Sequence, residues 1–141
     1  MHSKIKILIM GLPGAGKTTL AKLLVPMFNA VWLNADKVRE EANDWDFSEL
    51  GRSVQANRMK RLAQEALDNN RNVIADLVCP TEHTRKDFNA DYIIYMDTIK
   101  ESKLEPPSNF DFKVTHKDAL MFSFLIKQEI LDKLKGLGPH D

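Results

Sequence analysis

The chain has 141 residues, 43% of them hydrophobic and 28% charged, and its 20 basic and 20 acidic side chains cancel to a formal charge of zero. That length suits one domain with a real core. Balanced charge supplies no long-range field to draw in nucleic acid, and no apolar run approaches the roughly 20 residues that cross a bilayer. A single cysteine, Cys79, excludes an internal disulfide and a cysteine-based zinc site. The start, Met-His-Ser and then apolar sequence, leaves no room for a signal peptide, so a cytoplasmic protein is expected.

Residues 4–10 are mostly apolar and β-branched and predict a buried strand. Gly11-Leu12-Pro13-Gly14-Ala15-Gly16-Lys17-Thr18 follows, a complete G-x-x-x-x-G-K-[ST] pattern. Behind it Leu20, Leu23, Leu24, Met27 and Phe28 recur at the spacing of one helix face. Strand, glycine loop and helix together form the context in which this pattern binds phosphate. Backbone N–H groups at the helix start and the helix dipole favour an anion. Lys17 brings a positive charge to the outer phosphates, and the Thr18 hydroxyl can ligate Mg²⁺. Gly11, Gly14, Ala15, Gly16, Lys17, Thr18 and Thr19 are therefore the expected contacts to a nucleoside triphosphate.

Pro26 is expected to kink or close this first helix. Ala30-Val31-Trp32-Leu33 predicts a second strand ending at Asn34-Ala35-Asp36, and residues 37–52 a short helix followed by a loop. A helix over 54–68 carries Met59, Leu62, Ala63, Ala66 and Leu67 on one stripe. Residues 72–75 predict a third strand closing at Asp76, 81–88 a short helix capped by Thr81, and 91–96 a fourth strand closing at Asp97. A lid-like irregular segment covers about 100–111, and Phe112-Lys113-Val114 predicts a short fifth strand. The last helix, 118–135, is apolar almost throughout its first half, which predicts burial on more than one side or contact with a second subunit.

Alternation of strands and helices predicts an α/β fold: one domain over 1–141, a parallel sheet of about five strands with helices on both faces. Ligands of such sheets sit at the carboxyl ends of the strands. Asp36, Asp76 and Asp97 each close a predicted strand at that edge, beside the glycine loop.

A switch GTPase would need D-x-x-G and N-K-x-D elements. No aspartate here has glycine three residues later, and Asn34-Ala35-Asp36-Lys37 only superficially resembles the guanine reader. A small-molecule kinase remains, in which the loop and Mg²⁺ hold the phosphates of ATP while an aspartate aligns the acceptor hydroxyl. The competing class is a nucleotide-binding module without catalysis.

The loop with Thr19-Leu20-Ala21, and then Leu33-Asn34-Ala35-Asp36-Lys37-Val38-Arg39, resembles the adenylylsulfate (APS) kinase family, whose elements read G-L-S-G-A-G-K-S-T-L-A and L-D-G-D-N-V-R. Phe47-Ser48 with Arg52 resembles its G-F-S-x-x-D-R, residues 73–80 parallel V-I-x-S-F-I-S-P, and Met96-Asp97-Thr98 parallels V-D-T. The resemblance covers roughly the first 100 residues. It implies a P-loop kinase fold, ATP and Mg²⁺ as cofactors, a nucleotide-linked acceptor, and a homodimer. Asn34 stands where the family has aspartate, Asp76 and Cys79 where it has serines, and the family's lid motifs have no counterpart after Thr98. Kinases acting on cytidine diphosphoramidate resemble this shortened form, so the acceptor stays open.

On this resemblance Lys17 and Asp36 are the expected catalytic residues, with Asp36 alternatively a helix cap. Asp36, Arg39, Phe47 and Arg52 are expected at the acceptor, the arginines as clamps on phosphate or sulfate oxygens. Either arginine could instead be solvated, Arg39 being carried by the stronger motif, and Phe47, like Trp45, could equally be simple packing. Thr18 and Asp76 are expected around Mg²⁺, Asp76 alternatively capping a turn. Asp97 reads as structural and Cys79 as a buried thiol. Arg58, Lys60 and Arg61 read as a wet helix face, with Arg61 within possible reach of the site. Lys100 or Lys103 is a candidate lid cation. His2, His83, His116 and His140 are too scattered for a metal cluster.

Overall fold

Residues 4–79, 81–99 and 106–136 are described by the computed structural model. The first strand, β1 (Lys6–Met10), is buried along its whole length. The glycine loop leads into α1 (Lys17–Met27), in which Pro26 occupies the last turn and closes the helix. Next come β2 (Val31–Asn34), α2 (Ala35–Ala42) and α3 (Glu49–Asp68). β3 (Val73–Leu77), α4 (Glu82–Phe88), β4 (Tyr92–Met96), β5 (Phe112–Val114) and α5 (Ala119–Leu134) complete the order.

All strand pairings are parallel, and the strands lie side by side as β2-β3-β1-β4-β5. Alternation along β1 divides the core. Ile7 and Ile9 face a layer built from α1 and α5, where Leu20, Leu24, Phe122, Ile126 and Ile130 pack. Leu8 and Met10 face Val38, Met59, Ala63, Leu67 and Phe88 of α2, α3 and α4. Helices thus cover both faces, as an all-parallel sheet requires. After β1 the chain crosses to β2 and returns through β3, then continues on the other side through β4. That change of direction opens a crevice at the carboxyl end of β1, where the glycine loop sits.

Two boundaries and one burial pattern differ from the sequence reading. α3 starts at Glu49 rather than near 54: Ser48 caps it, accepting from the Gly51 N–H, and the first turn is exposed. Gly51 permits this start, because a Cβ there would stand 2.2 Å from the Asp46 carbonyl oxygen. β3 runs through Asp76, which pairs in register with Ile9 and Asn34. α5 buries only Phe122, Ser123, Ile126 and Ile130; Leu120, Met121, Phe124 and Leu125 are exposed, so burial on more than one side does not hold. Phe110, in the described part of the lid-like segment, packs its ring 5.9 Å from Tyr95. Lys100, Lys103, Pro80, His2 and His140 lie outside the described residues.

Candidate active site

Gly14 and Gly16 adopt left-handed φ of 82° and 101°, which side-chain-bearing residues rarely sustain. This turn aims the loop at the start of α1, whose N-cap, Gly16, offers no side-chain hydrogen bond to the first-turn N–H groups. Those donors are what an anion at a helix start requires. Gly11 is needed for a different reason: a Cβ there would meet Met96 Cβ at 2.9 Å and the Met96 carbonyl oxygen at 3.0 Å. Thr98, just after β4, donates its hydroxyl to the Ala15 carbonyl at 2.7 Å and fastens the loop from its other side. Sequence reasoning assigned no role to Thr98, and only the pairing of β1 with β4 brings it to the loop.

Lys17 Nζ donates to the Gly11 and Leu12 carbonyls at 2.8 and 2.9 Å, so the ammonium lies across the mouth of the loop. Burial lowers its pKa, while the carboxylates of Asp76 and Asp36 oppose that shift. All three charges therefore share one electrostatic neighbourhood. Thr18 and Thr19 are exposed in the first turn of α1.

Asp36 is exposed on the first turn of α2 and has no hydrogen-bond or ion-pair partner among the described residues. Its capping alternative fails, because Asn34 caps α2 by accepting from Lys37 N at 3.0 Å. Asp76 is buried inside β3 and does not cap a turn. Its carboxylate accepts from Trp32 Nε1 and from Asn34 Nδ2, the latter at 3.0 Å and 3.3 Å to the two oxygens. Burial pushes its pKa up, against those hydrogen bonds and the nearby Lys17.

Arg39 stands differently from its expected place as an exposed clamp. It is 4% exposed, and its Nη1 donates to the carbonyls of Asp44 and Asp46 at 3.0 and 3.1 Å. Phe47 covers the guanidinium, with the ring centroid 4.3 Å away, and is itself 59% exposed. Arg58, read as part of a wet face, is half-buried: it bonds Asp44 at 2.8 Å and Gln55 at 2.6 Å. Gln55 in turn donates to the Ala35 carbonyl at 3.0 Å, tying α3 to the start of α2. Two arginines thus hold the loop between these helices, and sequence reasoning missed both contacts because each partner is distant or a backbone carbonyl. Arg52 is exposed on the first turns of α3 and carries no ion pair among the described residues.

Lys60 pairs with Asp87, and Asp97 lies 3.9 Å from Lys113 beside β5. Cys79 is buried against Thr84, and burial raises its thiol pKa, as fits a structural residue. A cavity of about 300 Å³ between Ile5, Tyr92, Ile130 and Lys133 lies at the amino ends of the strands, remote from the loop. Among the described residues no group of three or more His, Cys, Asp and Glu side chains could hold a metal. The Thr18 hydroxyl and the Asp76 carboxylate are oxygen donors of the kind that Mg²⁺ prefers. No helix among the described residues is long and apolar enough to cross a membrane.

The sequence profile of the AAA domain matches residues 7–90. No curated protein matches the sequence. Mycobacterium tuberculosis APS kinase in complex with AMPPNP and APS is similar in structure, with a TM-score of 0.74 at 20% identity, over 94% of this chain and 98% of that one. The hexameric APS kinase from Thiobacillus denitrificans gives 0.74 at 24% identity, over 92% of this chain and 29% of that one. Shikimate kinase from Acinetobacter baumannii in complex with shikimate gives 0.57 at 14% identity, over 96% and 95%. At these identities the likeness is one of fold, and the fold is that of P-loop kinases.

Proposed function

Because the chain belongs to the AAA-domain family and has the P-loop kinase fold, we propose that it is an ATP-dependent, Mg²⁺-requiring kinase of a small-molecule hydroxyl. Residues 1–141 would form its one domain, working in the cytoplasm where ATP is supplied. The observation that carries this reading is the convergence at one sheet edge of a helix start without a side-chain cap, the Lys17 ammonium and the carboxylate of Asp36, which has no partner among the described residues.

Backbone N–H groups of Gly14, Ala15, Gly16, Lys17, Thr18 and Thr19 hold the β- and γ-phosphates, with Gly11 keeping the loop close to β4. Lys17 exchanges its carbonyl partners for phosphate oxygens and neutralises charge as the terminal bond loosens. Thr18 and Asp76 would hold Mg²⁺, which when bound would supply neutralisation of phosphate charge. Asp36 orients the acceptor hydroxyl in line with the γ-phosphorus. The new O–P bond forms as the β–γ bridging bond breaks, ADP leaves, and Asp36 takes the hydroxyl proton late. Positioning outweighs basicity in so loose a transition state. Arg52 meets anionic oxygens of the acceptor, and Phe47 offers its outer ring face to a nucleobase. Arg39 acts through Phe47.

The acceptor that fits the sequence resemblance best is adenylylsulfate, phosphorylated at its ribose 3′-hydroxyl. A second reading is another nucleotide-linked or sugar hydroxyl, such as that of cytidine diphosphoramidate. The burial of Arg39, which removes a cation from the acceptor side, favours the less anionic acceptors of this group, the sugars. Transfer of labelled phosphate from ATP to adenylylsulfate, cytidine diphosphoramidate and a panel of sugars and nucleosides separates the two. ATP binding with no transfer to any acceptor and no release of ADP would leave only a nucleotide-binding module.

A further inference from the structure

Asn34 and Asp76 face each other in register on β2 and β3, and one amide serves two elements. Asn34 Oδ1 accepts from Lys37 N and so caps α2, which forces Nδ2 towards Asp76, where it donates to both carboxylate oxygens. Trp32, two residues earlier on β2, adds its indole N–H to Asp76 Oδ2. Resting on the kinase reading, we propose that Asn34 is a positioning residue: it aims the Asp76 carboxylate at the Mg²⁺ side of the nucleotide and fixes the α2 start that presents Asp36.

The requirement is for an amide. An aspartate at 34 would keep the capping oxygen, but it would lose the donor and set two carboxylates about 3 Å apart in a buried site. A serine would keep the cap, yet its shorter side chain would not reach Asp76. Trp32 locks the carboxylate from the second side, so the rotamer of Asp76 depends on two donors from one strand. Outer hydrogen-bond partners of a metal-side group act on affinity in this way.

The test uses the full chain with Trp45→Phe, which leaves Trp32 as its one tryptophan. Asn34→Asp and Asp76→Asn are each expected to lower the melting temperature by about 3–8 °C and to shift Trp32 emission. The exchange Asn34→Asp with Asp76→Asn is expected to recover most of the loss, because the amide then donates from β3. Asn34→Asp and Asn34→Ser should weaken binding of Mg²⁺–ATP about tenfold while leaving ATP in EDTA nearly unchanged. Additive melting losses in the exchange variant would overturn the pairing. Equal weakening with and without Mg²⁺, or none in either, would overturn the positioning role and leave a structural contact. Should Asn34→Asp not fold, Asn34→Ser decides the binding arm. A wild-type chain that binds no Mg²⁺–ATP would defeat the kinase reading itself, whereas the melting and emission arms would still decide the pair.

Discussion

The Arg39 guanidinium lies beneath the Phe47 ring, 4.3 Å from its centroid, and donates to two carbonyls of the loop that carries that ring. A planar guanidinium can present its face to the ring while its edge donates to the carbonyls, and a lysine ammonium, though it can donate as well, offers no such face. Arg39→Lys should therefore loosen the loop and raise KM for the acceptor about tenfold, with KM for ATP nearly unchanged. Phe47→Ala should move the same constant in the same direction. A rise confined to ATP in steady-state kinetics would place the loop elsewhere.

Lys17→Ala removes the ammonium from the mouth of the loop. Turnover is expected to fall by about two to three decades, the loss usual for a key electrostatic stabiliser. Wild-type turnover in a labelled-ATP assay would exclude Lys17 from the chemistry.

Asp36→Asn leaves the Asn34 cap of α2 intact, so the variant should melt like the wild type. Calorimetry should find its ATP affinity retained while phosphoryl transfer is lost. Full transfer by a folded Asp36→Asn chain contradicts the acceptor role.

Gly11→Ala forces a methyl group against the Met96 Cβ and carbonyl, at 2.9 and 3.0 Å. The backbone of β4 cannot step aside cheaply, so a loss of about 1–3 kcal/mol is expected in urea denaturation. An unchanged midpoint would mean that β1 and β4 separate more easily than their pairing implies.

Lys6 is buried in β1, with its ammonium bonded to the Phe88 carbonyl and 4.8 Å from the Phe88 ring centroid. Burial lowers its pKa below the ordinary lysine value of 10.5. In the window between that lowered pKa and 10.5 the unfolded chain binds more protons than the folded one, so this group's contribution makes stability rise with pH there. Denaturation midpoints across alkaline pH, kept below the tyrosine range, should climb more steeply in the wild type than in Lys6→Met. Parallel curves would refute the assignment.

Much of the fold was legible because its signals are local. Strand runs of β-branched residues, the helix stripe of Leu20 and Leu24, and the Thr81 cap of α4 each lie within a few residues. The start of α3 was not legible: exposed Leu50 and Val54 and the poor helix former Gly51 blur the periodicity, and only contact with Asp46 explains the glycine. One half of α5 misled for a related reason, since apolar composition does not say which neighbours are present to cover it.

The phosphate loop was determined by sequence alone, because left-handed glycines, a strand before and a helix after are properties of consecutive residues. What Arg39, Arg58, Asn34 and Trp32 do was decided only in three dimensions. A charged or polar side chain reads as solvated until its partner is known, and here the partners are backbone carbonyls of a loop or a carboxylate 42 or 44 residues away across a parallel ladder. Burial then turns those ordinary polar groups into fixed contacts, because leaving any of them unpaired away from water would cost more than the fold could spare.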